Sequence, residues 1–78
     1  MYYVYVLKCK NGNHYTGCTS DLRDRFNRHI NGYVPATANN LPVELVFYCA
    51  FNNKYKAFDF EIYLKSGSGR AFMNKRFI

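Results

Sequence analysis

The chain has 78 residues, with 11 lysines and arginines against 5 aspartates and glutamates, a net charge of +6 with histidine neutral. Apolar residues make up 49% and aromatics 19%; this excludes a disordered basic tail, and the length points to a single domain over residues 1–78. A domain this small buries only about 60% of its unfolded surface, so its 8 tyrosines and 7 phenylalanines must supply much of the core.

Residues 2–8 are β-branched and aromatic and apolar on both faces, as in a strand at the centre of its sheet. Lys10-Asn11-Gly12-Asn13 is a hairpin signal, which makes residues 13–18 the return strand. Thr19, Ser20 and Asp21 compete as helix cap. Leu22, Phe26 and Ile30 then recur at four-residue intervals, and Gly32 ends that helix at its C′ position. Residues 33–42, with Pro35, Pro42 and Asn39-Asn40, read as a loop, and 43–51 as a third strand. After Asn52-Asn53 a second helix is expected over 54–65, with Tyr55, Phe58 and Ile62 on one side. Ser66-Gly67-Ser68-Gly69 interrupts it, and a short helix over 70–77 closes the chain. The order β-β-α-β-α-α predicts an α+β fold, a small three-stranded antiparallel sheet flanked by helices.

Cys9, Cys18 and Cys49 cannot all pair within one chain, and with His14 and His29 their intervals match no standard zinc module. They read as reduced, mostly buried thiols of a cytoplasmic protein. No apolar run is long enough to span a membrane, and the first residues lack the pattern of a signal peptide. The basic excess favours a polyanionic partner, with nucleic acid ahead of a membrane surface because no basic amphipathic helix with a wide apolar face is present.

Tyr3-Val4-Tyr5, then Tyr15-Thr16-Gly17, then Arg25, then Glu61 resembles the GIY-YIG nuclease family over nearly the whole chain. The likeness is closest to short standalone members, which share the nuclease domain of excision-repair incision subunits and of some homing endonucleases. The ten-residue steps from Tyr5 to Tyr15 and from Tyr15 to Arg25 match the family spacing. So do the Asn11-Gly12 turn, the helix phrase from Thr19 to Arg25, and the later phrase from Ala57 to Lys65. The triplets read Tyr-Val-Tyr and Tyr-Thr-Gly where the family name has Gly-Ile-Tyr and Tyr-Ile-Gly, and Cys18 stands where many members carry a lysine. The resemblance implies a metal-dependent endonuclease that hydrolyses DNA, selecting branched or damaged structures in repair or recombination. A monomer is favoured.

Phosphodiester hydrolysis needs an attacking water, a base for its proton, and charge relief at phosphorus and at the leaving oxygen. Glu61, among Ala57, Phe58 and Leu64 on its helix, reads either as the ligand of one Mg²⁺ or Mn²⁺ or as a rim carboxylate paired with Lys65 at i+4. The resemblance favours the metal. Arg25 lies one turn after Leu22 and could hold the scissile phosphate, or could form an exposed ion pair with Asp21 or near Asp24. Arg23 and Arg28 should face solvent and contact backbone phosphates at most. His29 shares the Arg25 face; it could polarise Tyr5, take a proton directly, or simply hydrogen-bond the 33–42 loop. The resemblance implies Tyr5 as base and Tyr15 as the group positioning water or phosphate. Tyrosine ordinarily titrates near 10, and a nearby Arg25 and a metal would lower that value.

A two-residue Asn11-Gly12 turn would point the Tyr5 and Tyr15 rings to opposite faces of the sheet. A three-residue loop, Lys10-Asn11-Gly12, with Gly12 left-handed, sets Tyr5 opposite Gly17 and Leu7 opposite Tyr15, with both rings on one face. The second arrangement is expected, with Gly17 leaving room beside Tyr5 for a phosphate. Lys65, the Ser66–Gly69 phrase and Arg70 read as an anion-binding entry to the last helix, and the resemblance implies Asn74 near the metal or phosphate, so Lys65, Arg70 and Asn74 join Gly17, Arg23 and Arg28 as candidate nucleic-acid contacts. The alternative of a different class is a non-catalytic nucleic-acid-binding module of the same fold.

Overall fold

A computed structural model describes residues 1–78. β1 (Tyr2–Lys8) and β2 (His14–Thr19) form a hairpin. α1 (Leu22–Ile30) and a four-residue helix α2 (Pro35–Ala38) follow, then β3 (Glu44–Phe51), α3 (Lys54–Lys65) and α4 (Gly67–Arg76). The sheet is antiparallel in the order β2-β1-β3. The strand that is apolar on both faces is therefore the central one, and Val4, Tyr5, Val6 and Leu7 are all buried. The expected order β-β-α-β-α-α stands, with α2 inserted into what the sequence presents as loop.

The two faces of β1 meet different partners. Val4 and Val6 join Ala57, Leu64 and Met73 in the apolar core, with Phe47, Phe51, Phe60 and Phe72 packed around it. Tyr5 and Leu7 face the other way, where His29, Val34 and Thr37 are also buried. A bulge between Val6 and Leu7 in the pairing with β3 lets Leu7 meet Leu45 while Val6 meets Phe47.

Local chemistry sets the helix ends. Asp21 wins the competition for the α1 cap, accepting from the Asp24 amide at 3.0 Å. At the other end Gly32, with φ +76°, donates to the His29 carbonyl, and Tyr33 donates to that of Arg28. This is a Schellman turn with glycine at C′, as its sequence position predicts. Val34 then caps α2, with Pro35 at its first position.

Three local expectations give way. Ile30 is 47% exposed, so the inward face of α1 runs through His29 instead. Tyr55, Phe58 and Ile62 do share one side of α3, but it is the solvent side, because Ala57 and Leu64 take the sheet. The glycine-serine phrase interrupts the helices only at Ser66, which ends α3 in extended backbone. Ser66 caps α4, which runs through Gly67–Gly69, and a Cβ at Gly69 would strike the Tyr63 carbonyl and the Leu64 backbone. Glycine is there for close packing of α4 on α3. No helix is long and apolar enough to cross a membrane.

Candidate active site

The β1–β2 connection decides which residues can meet. Cys9 N–H donates to Asn13 at 2.8 Å, Gly12 N–H donates to Cys9 at 2.9 Å, and Gly12 has φ +87°. This is the three-residue loop, with glycine in the left-handed region. It sets Tyr5 opposite Gly17 and Leu7 opposite Tyr15. Both rings share a face, 6.3 Å apart between centroids.

Gly17 has a different purpose from the one its sequence position suggests. A Cβ there would land on the hydroxyl and ring of Tyr5. The space beside the missing side chain is filled by the phenol itself and is not open to a phosphate. Gly17 lets the Tyr5 ring cross over β2 and carry its hydroxyl toward α1.

Helix α1 supplies the next two groups at i and i+4. His29 is fully buried, its ring 5.7 Å from that of Tyr5 and 5.1 Å from that of Tyr15. Its Nε2 is 2.9 Å from the Tyr5 hydroxyl and its Nδ1 is 2.7 Å from Thr37 Oγ1. The two sequence readings of His29 thus coexist, since it contacts Tyr5 and also the segment after α1. Burial, and then the nearby Arg25 charge, lowers the His29 pKa, which keeps the imidazole neutral.

Arg25 lies beside both phenols. Interaction first with Tyr5 raises its pKa, with burial opposing and Tyr15 adding to the rise. Its Nε is buried without a partner. The acidic alternative does not form, because Asp24 is taken by Arg28 at 3.1 Å on the exposed side of α1. Burial raises the Tyr5 pKa. Arg25 pulls it down, as expected, but does not set its net direction, and the charges of Tyr15 and Glu61 add to the rise.

Glu61 comes from α3, which packs along β1 and β2. Its side chain is only 20% exposed, and Lys65 Nζ donates to Oε2 at 2.9 Å. Its field reaches the signature residues: it contributes to raising Cys18, after burial, as well as Tyr5. No group of three His, Cys, Asp or Glu side chains is placed to form a metal cage. A single largely buried carboxylate would suit only a hard divalent ion that keeps most of its waters.

Lys65, Arg70 and Asn74 line one cleft of about 600 Å³ with residues 12–16 of the hairpin, over Val6, Leu64 and Met73. Of the amides at the expected anion-binding entry to α4, that of Gly69 is taken by Ser66 Oγ. Arg23 stands apart, lining a separate depression with Tyr3, Phe26 and Tyr48. Arg28 is held outward by Asp24. Thr37 escaped the sequence reading, and His14, weighed there only as a metal ligand, lines the cleft. An alternation of burial cannot reveal Thr37, since α2 is a single turn inside a proline-rich segment.

The family model described as the GIY-YIG catalytic domain matches residues 1–76. A UPF0213 protein of Clostridium perfringens is 44% identical over 66 residues, 83% of this chain and 71% of that protein. Another, of Streptococcus agalactiae, is 40% identical over 70 residues, 88% of this chain and 80% of that protein. The solution NMR structure of a UPF0213 protein from Bacillus halodurans superposes with a TM-score of 0.61 at 34% identity, covering 96% of this chain and 84% of that one.

Proposed function

Because the chain belongs to the GIY-YIG catalytic-domain family, a family of nucleases, we propose that it is a metal-dependent endonuclease that hydrolyses DNA phosphodiester bonds. Branched or damaged DNA is its substrate class, and repair or recombination in the cytoplasm its setting. The observation that carries this reading is the gathering of Tyr5, Tyr15, Arg25 and His29 on one sheet face, with the field of Glu61 reaching Tyr5.

Arg25 brings a fixed positive charge and an unpartnered buried N–H to the phenol pair, which suits a phosphate oxygen that gains charge in the transition state. Tyr5, as phenolate, takes a proton from water while the water oxygen bonds to phosphorus and the bond from phosphorus to the leaving oxygen breaks. That oxygen then takes a proton from solvent. Tyr15 orients the water or the phosphate. Glu61 would hold Mg²⁺ or Mn²⁺, which when bound supplies Lewis-acid relief of charge on the phosphate. The raised Tyr5 pKa makes the phenolate a minor species at neutral pH. The cleavage rate therefore rises with pH, by up to about tenfold per unit. Lys65, Arg70 and Asn74 contact the nucleic-acid backbone along the neighbouring cleft.

The ion pair between Lys65 and Glu61 favours the second reading, a non-catalytic nucleic-acid-binding module, because it occupies the carboxylate. A nicking assay on plasmid and branched DNA with Mg²⁺, run alongside Glu61→Ala, separates the two. The wild type cuts, and the variant binds equally well without cutting. A folded wild type that binds but cuts no DNA or RNA structure leaves the binding module.

A further inference from the structure

Tyr5, His29 and Thr37 form a buried file of three polar side chains, at 1%, 0% and 0% exposure. Its hydrogens cannot all be satisfied within the file. A neutral imidazole has one donor nitrogen and one acceptor nitrogen. Both hydroxyls flank it, Tyr5 at Nε2 and Thr37 at Nδ1, and only one of them can donate to it.

Thr37 has the stronger claim. Its hydroxyl has His29 Nδ1 as its sole side-chain or backbone partner. The carbonyl that a helical threonine ordinarily uses, three residues back at Val34, already receives the amides of both Thr37 and Ala38. A sealed hydroxyl hydrogen with no other acceptor is costly to leave unpaired. The Tyr5 hydrogen is equally without a second acceptor at rest, but it must leave before that phenol can act as a base.

We propose that Thr37 is a positioning residue that donates its hydroxyl hydrogen to His29 Nδ1 and thereby fixes the proton of the imidazole on Nε2, so that His29 donates to the Tyr5 oxygen and does not accept its proton. The Tyr5 oxygen then accepts from His29 Nε2–H, with the positive charge of Arg25 nearby. Both favour the phenolate that burial opposes. Gly32 makes the arrangement possible: the turn it closes brings the chain back so that Thr37 meets the His29 ring in the last turn of α1. The choice of Thr37 over Tyr5 as donor and the catalytic consequence both rest on the nuclease reading above, whereas the tautomer can be read without any cleavage.

Two-bond proton–nitrogen correlation spectra of the whole protein read the tautomer directly. The expected pattern for His29 is a pyrrole-like Nε2 and a pyridine-like Nδ1. Thr37→Val gives a mixture of tautomers and lowers the rate of DNA cleavage about tenfold at unchanged DNA affinity, the signature of an interaction made in the transition state. Thr37→Ser restores both and guards against a variant that fails to fold. A protonated Nδ1 in the wild type overturns the proposal, as does a Thr37→Val protein with the wild-type tautomer and rate. If the wild type shows the expected tautomer but cleaves nothing, the nuclease reading fails while the role of Thr37 in setting the His29 proton stands.

Discussion

The two faces of the central strand are built from alternate residues of the same seven, yet they do opposite work. Val4 and Val6 look toward α3 and α4 into an apolar cluster tiled by phenylalanines, where burial alone provides the stability. Tyr5 looks toward α1 and α2 into a buried file of hydroxyls and an imidazole beside an arginine. Each polar atom there needs a partner, and Arg25 Nε has none. The apolar face tolerates any side chain of suitable volume, while the polar face needs particular atoms at hydrogen-bond distance. A domain this small can keep such a costly face because the other face carries the fold.

The largest test of this contrast is Tyr5→Phe. It keeps the ring that crosses Gly17 and removes the hydroxyl that meets His29. Cleavage should fall about 10²- to 10⁴-fold, as for loss of a general base, while the thermal midpoint moves little and DNA affinity holds. A Tyr5→Phe protein with wild-type cleavage would place the base elsewhere. On the other face Leu64→Ala, at a position 3% exposed, should cost about 2–5 kcal/mol of stability, read by urea unfolding. The folded fraction should keep its His29 tautomer. Loss of that tautomer signal from the folded variant would mean that the two faces are not independent.

The smallest effect concerns pH. Burial and Arg25 depress the His29 pKa below the ordinary 6.5. The unfolded chain therefore binds a proton on His29 as pH falls through about 6.5, while the folded chain resists. Stability should fall with decreasing pH in that window, by at most about 1.4 kcal/mol per unit from this group. Urea midpoints at several pH values measure it. Leu64→Ala should shift the whole curve down while leaving the His29 contribution in place.

Strand β1, the Gly32 turn and the three-residue loop at Gly12 could all be read from the chain, because each depends on residues within a few positions of one another. The register followed from the loop, and with it the shared face of Tyr5 and Tyr15. The outward face of Tyr55, Phe58 and Ile62 could not be read: an apolar stripe at helical spacing says which residues lie together but not which stripe meets the sheet. Gly69 misled for a related reason, since glycine looks like a break until a second helix is seen pressed against it. The downward pull of Arg25 on the Tyr5 pKa did not set its net direction because burial, which no local pattern measures, was the larger effect.

The amino-acid order alone determined the fold class, the central strand and the spacing that marks the family, since periodicity, turn chemistry and motif intervals act along the chain. Tertiary structure decided that His29 is sealed between Tyr5 and Thr37, that Gly17 makes way for a phenol, and that Glu61 lies four-fifths buried against Lys65. Those facts concern desolvation and the sharing of donors and acceptors among residues distant in sequence, and such partners exist only once the chain has closed on itself.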